Sequence, residues 1–131
     1  MKKNITNKVL MVRPALFAFN EKTAQEIQNS ALIEFDKMVE KLKSIGIDVK
    51  VIQDTKEPHT PNSIFPINWF STHYSNTVVL YPMFAENRRL ERTDKIYEFF
   101  DNVDNLNIVD YSSLEKENIF LEGTGALVLD R

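Results

Sequence analysis

Glu122 is the single charged residue between Asn118 and Asp130, in the stretch NIFLEGTGALVLD. A carboxylate is costly to bury without a partner, so an acid set alone among apolar residues has two readings. Either it lies in a turn facing water, or it waits in a pocket for a cationic or donor-rich ligand. Gly123 and Gly125 suit both, because glycine favours a turn and lets a backbone approach a bound group closely. Two side-chain amides, Asn62 and Asn68, lie either side of Phe65-Pro66 in PNSIFPINWFSTH. Asn62 follows Pro61 and reads as a turn residue. Asn68, wedged between Ile67 and Trp69, fits a turn less readily, and a buried amide needs partners for both its donor and its acceptor. Arg88 and Arg89 belong to the mixed-charge run ENRRLERTDK, which ordinarily forms a solvated face. The sharper alternative is that one of them turns inward to hold a carboxylate with two parallel hydrogen bonds. His59, in EPHTP, reads as a solvated loop residue. His73 could serve as a general base, but a histidine with no nucleophile beside it is more often structural. Together these groups suit a small, flat, nitrogen-rich moiety with a carboxylate some distance away.

The elements that would position them alternate in type. KVLMVR, residues 8–13, reads as a buried strand limited by Pro14. A helix is expected from Thr23, with Glu26 completing a capping box, to Gly46 as the left-handed stop. Ile27, Ala31, Phe35, Met38, Leu42 and Ile45 mark its expected inward face, with Leu32 and Val39 beside them. IDVKVIQ alternates as a strand, closing a strand–helix–strand unit over residues 8–53. SIFPINWFSTH and NTVVLYPM read as two strands around a turn at Tyr74-Ser75-Asn76. Thr93 would cap a short helix that turns Ile96, Tyr97, Phe100 and Val103 inward, and LNIVDYS is a further strand. The last residues give a strand, a Gly-Thr-Gly break and a second strand, ALVLD, at 126–130. This alternation is an α/β pattern. A long apolar edge such as ALVLD invites pairing with another chain.

The 131 residues suit one domain, 1–131, and the balance of 43% hydrophobic and 27% charged residues is ordinary for a globular chain. A net charge of −3 carries no basic footprint for nucleic acid. There is no cysteine, so this chain supplies neither a disulfide, nor a zinc-thiolate site, nor a thiol nucleophile. No apolar run approaches the length of a signal peptide core or a membrane span, which predicts a cytoplasmic protein. No metal or cofactor is expected.

Four ordered stretches, MVRPALFAFN, TPNSIFPINWFSTH, VVLYPMFAENRRLER and FLEGTGALVLDR, resemble the front half of the amidinotransferase and arginine deiminase superfamily, the penteins. The likeness spans residues 11–131 and is nearest to the citrulline-hydrolysing branch. It implies a partial α/β propeller, with about two ββαβ-type modules and the start of a third. It implies that Asn68 meets a guanidinium or ureido group, that Asn62 and either Arg88 or Arg89 hold the α-carboxylate, and that Glu122 holds substrate nitrogens. An amide at 68, rather than a carboxylate, tilts the expected substrate toward citrulline over arginine. Two departures stand out. Ile67 replaces an amide of the branch's FPNNW motif. The cysteine nucleophile and histidine base of the family's later modules have no counterpart, and His73 does not sit in the family's histidine motif.

The expected function is therefore the substrate-binding part of a guanidino- or ureido-group hydrolase cleaving a C–N bond, inactive alone as a truncated or split chain. The alternatives are a non-catalytic amino-acid-binding module, or an assembly subunit that pairs its 126–130 edge with itself or with a C-terminal-half chain.

Overall fold

The computed structural model describes residues 7–15, 21–101 and 103–127, which fall into two compact units, Met1–Ile64 and Phe65–Arg131. In the first, β1 (Lys8–Arg13) and β2 (Asp48–Gln53) pair in parallel, from Lys8 opposite Asp48 to Arg13 opposite Gln53. Parallel neighbours need a crossover, and α1 (Glu21–Ser44) provides it. The helix begins two residues ahead of Thr23, so Thr23 lies inside it rather than at its cap. Its end is the expected one. Gly46 sits at φ +87°, Ile47 N–H reaches the Leu42 carbonyl at 3.1 Å and Gly46 N–H the Lys43 carbonyl at 3.0 Å. That pair of bonds is the Schellman stop.

Phe35, Val39 and Val49 form the centre of this unit, packed by Met11, Leu42, Ile47, Val51 and Ile64. The inward face of α1 is narrower than its spacing predicts. Ile27, Met38 and Ile45 remain more than half exposed. A two-stranded sheet is wide enough to cover one ridge of the helix, and Phe35, Val39 and Leu42 take it. Arg13 ties the layers together by donating from Nε and Nη2 to the two carboxylate oxygens of Asp36, each at 2.8 Å.

In the second unit β3 (Phe70–His73) and β4 (Thr77–Leu80) form an antiparallel hairpin, and β5 (Asn107–Asp110) joins β4 in parallel. The hairpin turns where expected, with Ser75 and Asn76 both at positive φ. Trp69, Phe70, Val78, Leu80, Tyr81, Met83, Ile96 and Phe100 are its buried apolar residues. Two short helices, α2 (Glu86–Arg89) and α3 (Lys95–Glu98), lie between β4 and β5. Asp94, not Thr93, is the residue before α3, and Tyr97 faces solvent while Ile96 and Phe100 are buried.

Three expected strands differ. Pro66–Asn68 winds into a 3-10 turn, because proline has no N–H to give a strand ladder, and only Phe70–His73 is extended. Residues 119–122 carry no strand, and Gly123–Ala126 forms a single helical turn, α4. Of the expected 126–130 edge strand, Ala126 belongs to α4 and residues 128–130 lie outside the described part of the chain. Among the described residues no helix is long and apolar enough to cross a membrane.

Candidate functional site

Asn68 ends the 3-10 turn that follows Phe65, with its own N–H bonded to the Phe65 carbonyl at 3.2 Å. Its side chain is half-buried, and Arg88 Nη1 donates to its Oδ1 at 3.1 Å. Arg88 is itself buried and heavily engaged. Its Nε and Nη2 donate to the two oxygens of Glu91 at 3.1 Å each, and Nη2 also donates to the Phe65 carbonyl at 3.2 Å. The Glu91 side chain is 2% exposed. A buried charge pair of this kind is costly to form and costlier to break, because either partner alone would be an unpaired charge out of water. The Glu91–Arg88–Asn68 chain therefore holds the amide from behind.

On another side the amide meets glycine. Leu121 N–H bonds the Pro82 carbonyl at 2.9 Å, which anchors the segment leading into α4. Glu122 comes next, half-buried, directly before the turn. Gly123 has φ +37°, and a Cβ there would sit 2.6 Å from the Ile67 carbonyl oxygen and 2.7 Å from that of Asn68. A Cβ on Gly125 would sit 2.6 Å from Asn68 Nδ2. A side chain at 123 would collide with backbone and one at 125 would have to displace the Asn68 amide, so both glycines help seat α4 on the 3-10 turn. This adds to the sequence reading, in which the glycines made room for a ligand: the close approach is first to Asn68 itself.

Arg89 points elsewhere. Its Nε donates to the Met83 carbonyl at 2.9 Å and its Nη2 to the Phe84 carbonyl at 3.0 Å, while its guanidinium lies 5.7 Å over the Phe120 ring. Glu115 is 3.5 Å away and is shared with Arg92 at 2.8 Å and with the Met83 N–H at 2.7 Å. Arg89 keeps 27% of its side chain in solvent against 10% for Arg88.

Within the second unit, then, Asn68, Arg88 and the glycine turn that follows Glu122 share one cluster. Asn62 belongs to the first unit. It is exposed on a loop pinned by Asp54, which accepts from Thr60 Oγ1 at 3.1 Å and from Ser63 Oγ at 2.8 Å. His59 is half-buried rather than solvated. His73 is exposed, with Nε2 at 2.7 Å from Ser71 Oγ, which is also 2.7 Å from the Tyr81 hydroxyl. Trp69 Nε1 is buried with no hydrogen-bond partner among the described residues. Sequence reasoning missed Glu91 and Glu115. The spacing of Arg88 and Glu91, three apart on one helical turn, carried the signal for the first. The second is separated from Arg92 by 23 residues and left none.

A model of the family described as N,N dimethylarginine dimethylhydrolase, eukaryotic, matches residues 13–131. Among curated proteins none matches the chain. Solved structures do. Unliganded AgrE is similar over 95% of this chain and 18% of its own, at 20% identity and a TM-score of 0.67. The N-terminal domain of ArgZ, an arginine dihydrolase from the ornithine-ammonia cycle in cyanobacteria, was solved bound to substrate. It is similar over 90% of this chain and 43% of its own, at 17% identity and a TM-score of 0.62. AgrE in a ternary complex with ornithine and NAD+ is similar over 96% of this chain and 19% of its own, at 19% identity and a TM-score of 0.66. The fold is thus the partial pentein arrangement expected from the sequence, and the chain spans less than half the length of each of these structures.

Proposed function

The chain belongs to the N,N dimethylarginine dimethylhydrolase family, and from that premise we propose that it is the substrate-binding part of a guanidino- or ureido-group hydrolase. Its ligand is an amino acid of the citrulline or arginine kind. The observation that carries this reading is the seating of α4 on Asn68, which brings the backbone next to Glu122 against the one amide of the 3-10 turn. Glu122 accepts from ligand nitrogens and Asn68 meets the flat C–N group. Arg89, the less buried of the two arginines, is the candidate contact for the α-carboxylate, and Asn62 shares that role on the resemblance alone. The chain does not catalyse hydrolysis alone, because the family's covalent step needs a thiolate and there is no cysteine here.

Calorimetric titration with L-citrulline and L-arginine, paired with an ammonia-release assay, tests both parts. Saturable binding that is lost in Glu122→Ala, with no turnover, is the expected result. Turnover by the pure chain would overturn the inactivity, and undiminished binding in Glu122→Ala would overturn the site. The missing cysteine also favours a second reading, in which binding is itself the function and the chain senses an amino acid. Restored turnover on adding a cysteine-bearing later-module chain separates the first reading from the second.

A further inference from the structure

We propose that α1 carries a self-association face: two copies of this chain pair through α1, antiparallel, with Met38 on the two-fold axis. This face lies wholly on the first unit, and no residue of the ligand site takes part in it.

The helix has more apolar surface than its two strands cover. Phe35, Val39 and Leu42 take the sheet, yet Ile27, Met38 and Ile45 are 57%, 54% and 63% exposed. These three are not scattered. Ala31, Met38 and Ile45 follow a step of seven, and Ile27 lies one turn ahead of Ala31, so the four form a stripe along the helix beside its buried face. Glu34 and Lys41, both exposed, fill the remaining turns of that stripe. Alternating steps of four and three are the pattern by which one helix lies along another. The first turns of the stripe already have the shape for a partner. Ile27, Ser30, Ala31 and Glu34 surround an open groove. Their spacing of i, i+3, i+4 and i+7 is that of a hole that receives a side chain from a facing helix.

Charge decides what covers the stripe. With a second copy antiparallel and Met38 facing Met38, Ile45 of the second copy comes opposite Ala31 and so into the groove. Lys41 of the second copy comes level with Glu34, and the same contacts repeat across the axis. Apolar and charged layers then alternate, and both charged layers join opposite signs. A parallel pair in register would set Glu34 against Glu34 and Lys41 against Lys41, which like-charge repulsion disfavours. Lys37, next to the axis, is exposed and long enough to turn its charge to water. At 1.5 Å per residue the stripe from Ile27 to Ile45 is about 27 Å long. A contact of that length is small, so the pair is reversible rather than permanent.

Sedimentation equilibrium of the whole chain, from about 1 μM to about 1 mM, spans the range in which small interfaces associate. The mass is expected to rise from one chain to two. Met38→Glu sets two carboxylates on the axis and is expected to keep the chain monomeric throughout. The position is exposed, so helical circular dichroism and the denaturation midpoint should stay as they are. Charge exchange tests the direction. Glu34→Lys and Lys41→Glu each put like charges in both charged layers, and each is expected to weaken the dimer about ten-fold or more. Mixed one to one, these two variants restore opposite signs and the dimer returns, as it does when both changes are made in one chain. A chain still monomeric at about 1 mM would overturn the proposal. So would dimerisation undiminished in Met38→Glu. Dimers that survive both charge variants, or that mixing fails to restore, would overturn the antiparallel register. A chain monomeric alone that binds a later-module chain, with that binding lost in Met38→Glu, would overturn the second copy as the occupant.

Discussion

A methyl group at position 125 would bring a carbon to 2.6 Å from Asn68 Nδ2, closer than carbon and nitrogen tolerate. Gly125→Ala must therefore push the amide off Arg88 or lift α4 from the 3-10 turn. A loss of about 1–3 kcal/mol is expected, read as a lower urea midpoint, together with weakened ligand binding. Glu122→Ala should behave in the opposite way, abolishing binding while stability changes by about 0.5 kcal/mol or less. The contrast separates a residue that seats α4 from one proposed to face a ligand. Part of this cluster was legible as a residue type out of place, an amide between isoleucine and tryptophan. Glu91 was legible only as a neighbour three residues from Arg88, because ENRRLER is the composition of a solvated face, and what changes its meaning is burial, which composition does not carry.

At the scale of elements, α1 shows how far local chemistry reaches. Gly46 stops it at φ +87° with nothing within 4 Å of where a Cβ would stand. Gly46→Ala should cost about 1 kcal/mol through backbone strain alone, measurable by chemical denaturation, and Gly46→Asn less, because asparagine tolerates the left-handed region. The link from β1 to α1 is electrostatic. Hydrogen bonds from Arg13 hold the Asp36 carboxyl below its usual range, with the guanidinium's charge acting in the same sense. Because the folded state binds this proton less tightly than the unfolded chain, the contribution is present above the ordinary carboxylate value of about 3.9 and disappears as pH falls through the lowered one. Asp36→Asn should thus reduce the denaturation midpoint slightly at pH 7 and leave it unchanged in strong acid, the effect being small because both groups meet solvent. The 3-10 turn at Pro66–Asn68 was illegible for a different reason. It has no period of its own, and its shape is matched to glycines more than fifty positions later in the chain. The same holds for the inward face of α1, whose width depends on how many strands lie beneath it.

For the molecule as a whole, the order of strands and helices in the sequence reads as an α/β chain, and four ordered stretches carry the likeness to the superfamily. The division into Met1–Ile64 and Phe65–Arg131 was not announced, since no linker composition marks residue 64. The chain covers 43% of the ArgZ N-terminal domain to which it is similar. One feature makes ligand binding easy to follow. Trp69 is the only tryptophan in the sequence, is 3% exposed, and is the residue that closes the 3-10 turn behind Asn68. Light absorbed by indole alone therefore excites a single ring beside the amide, shielded from quenchers in bulk water. The arrival of a ligand at Asn68 should alter the colour or brightness of that emission, so the protein carries its own optical gauge of occupancy and needs no attached dye.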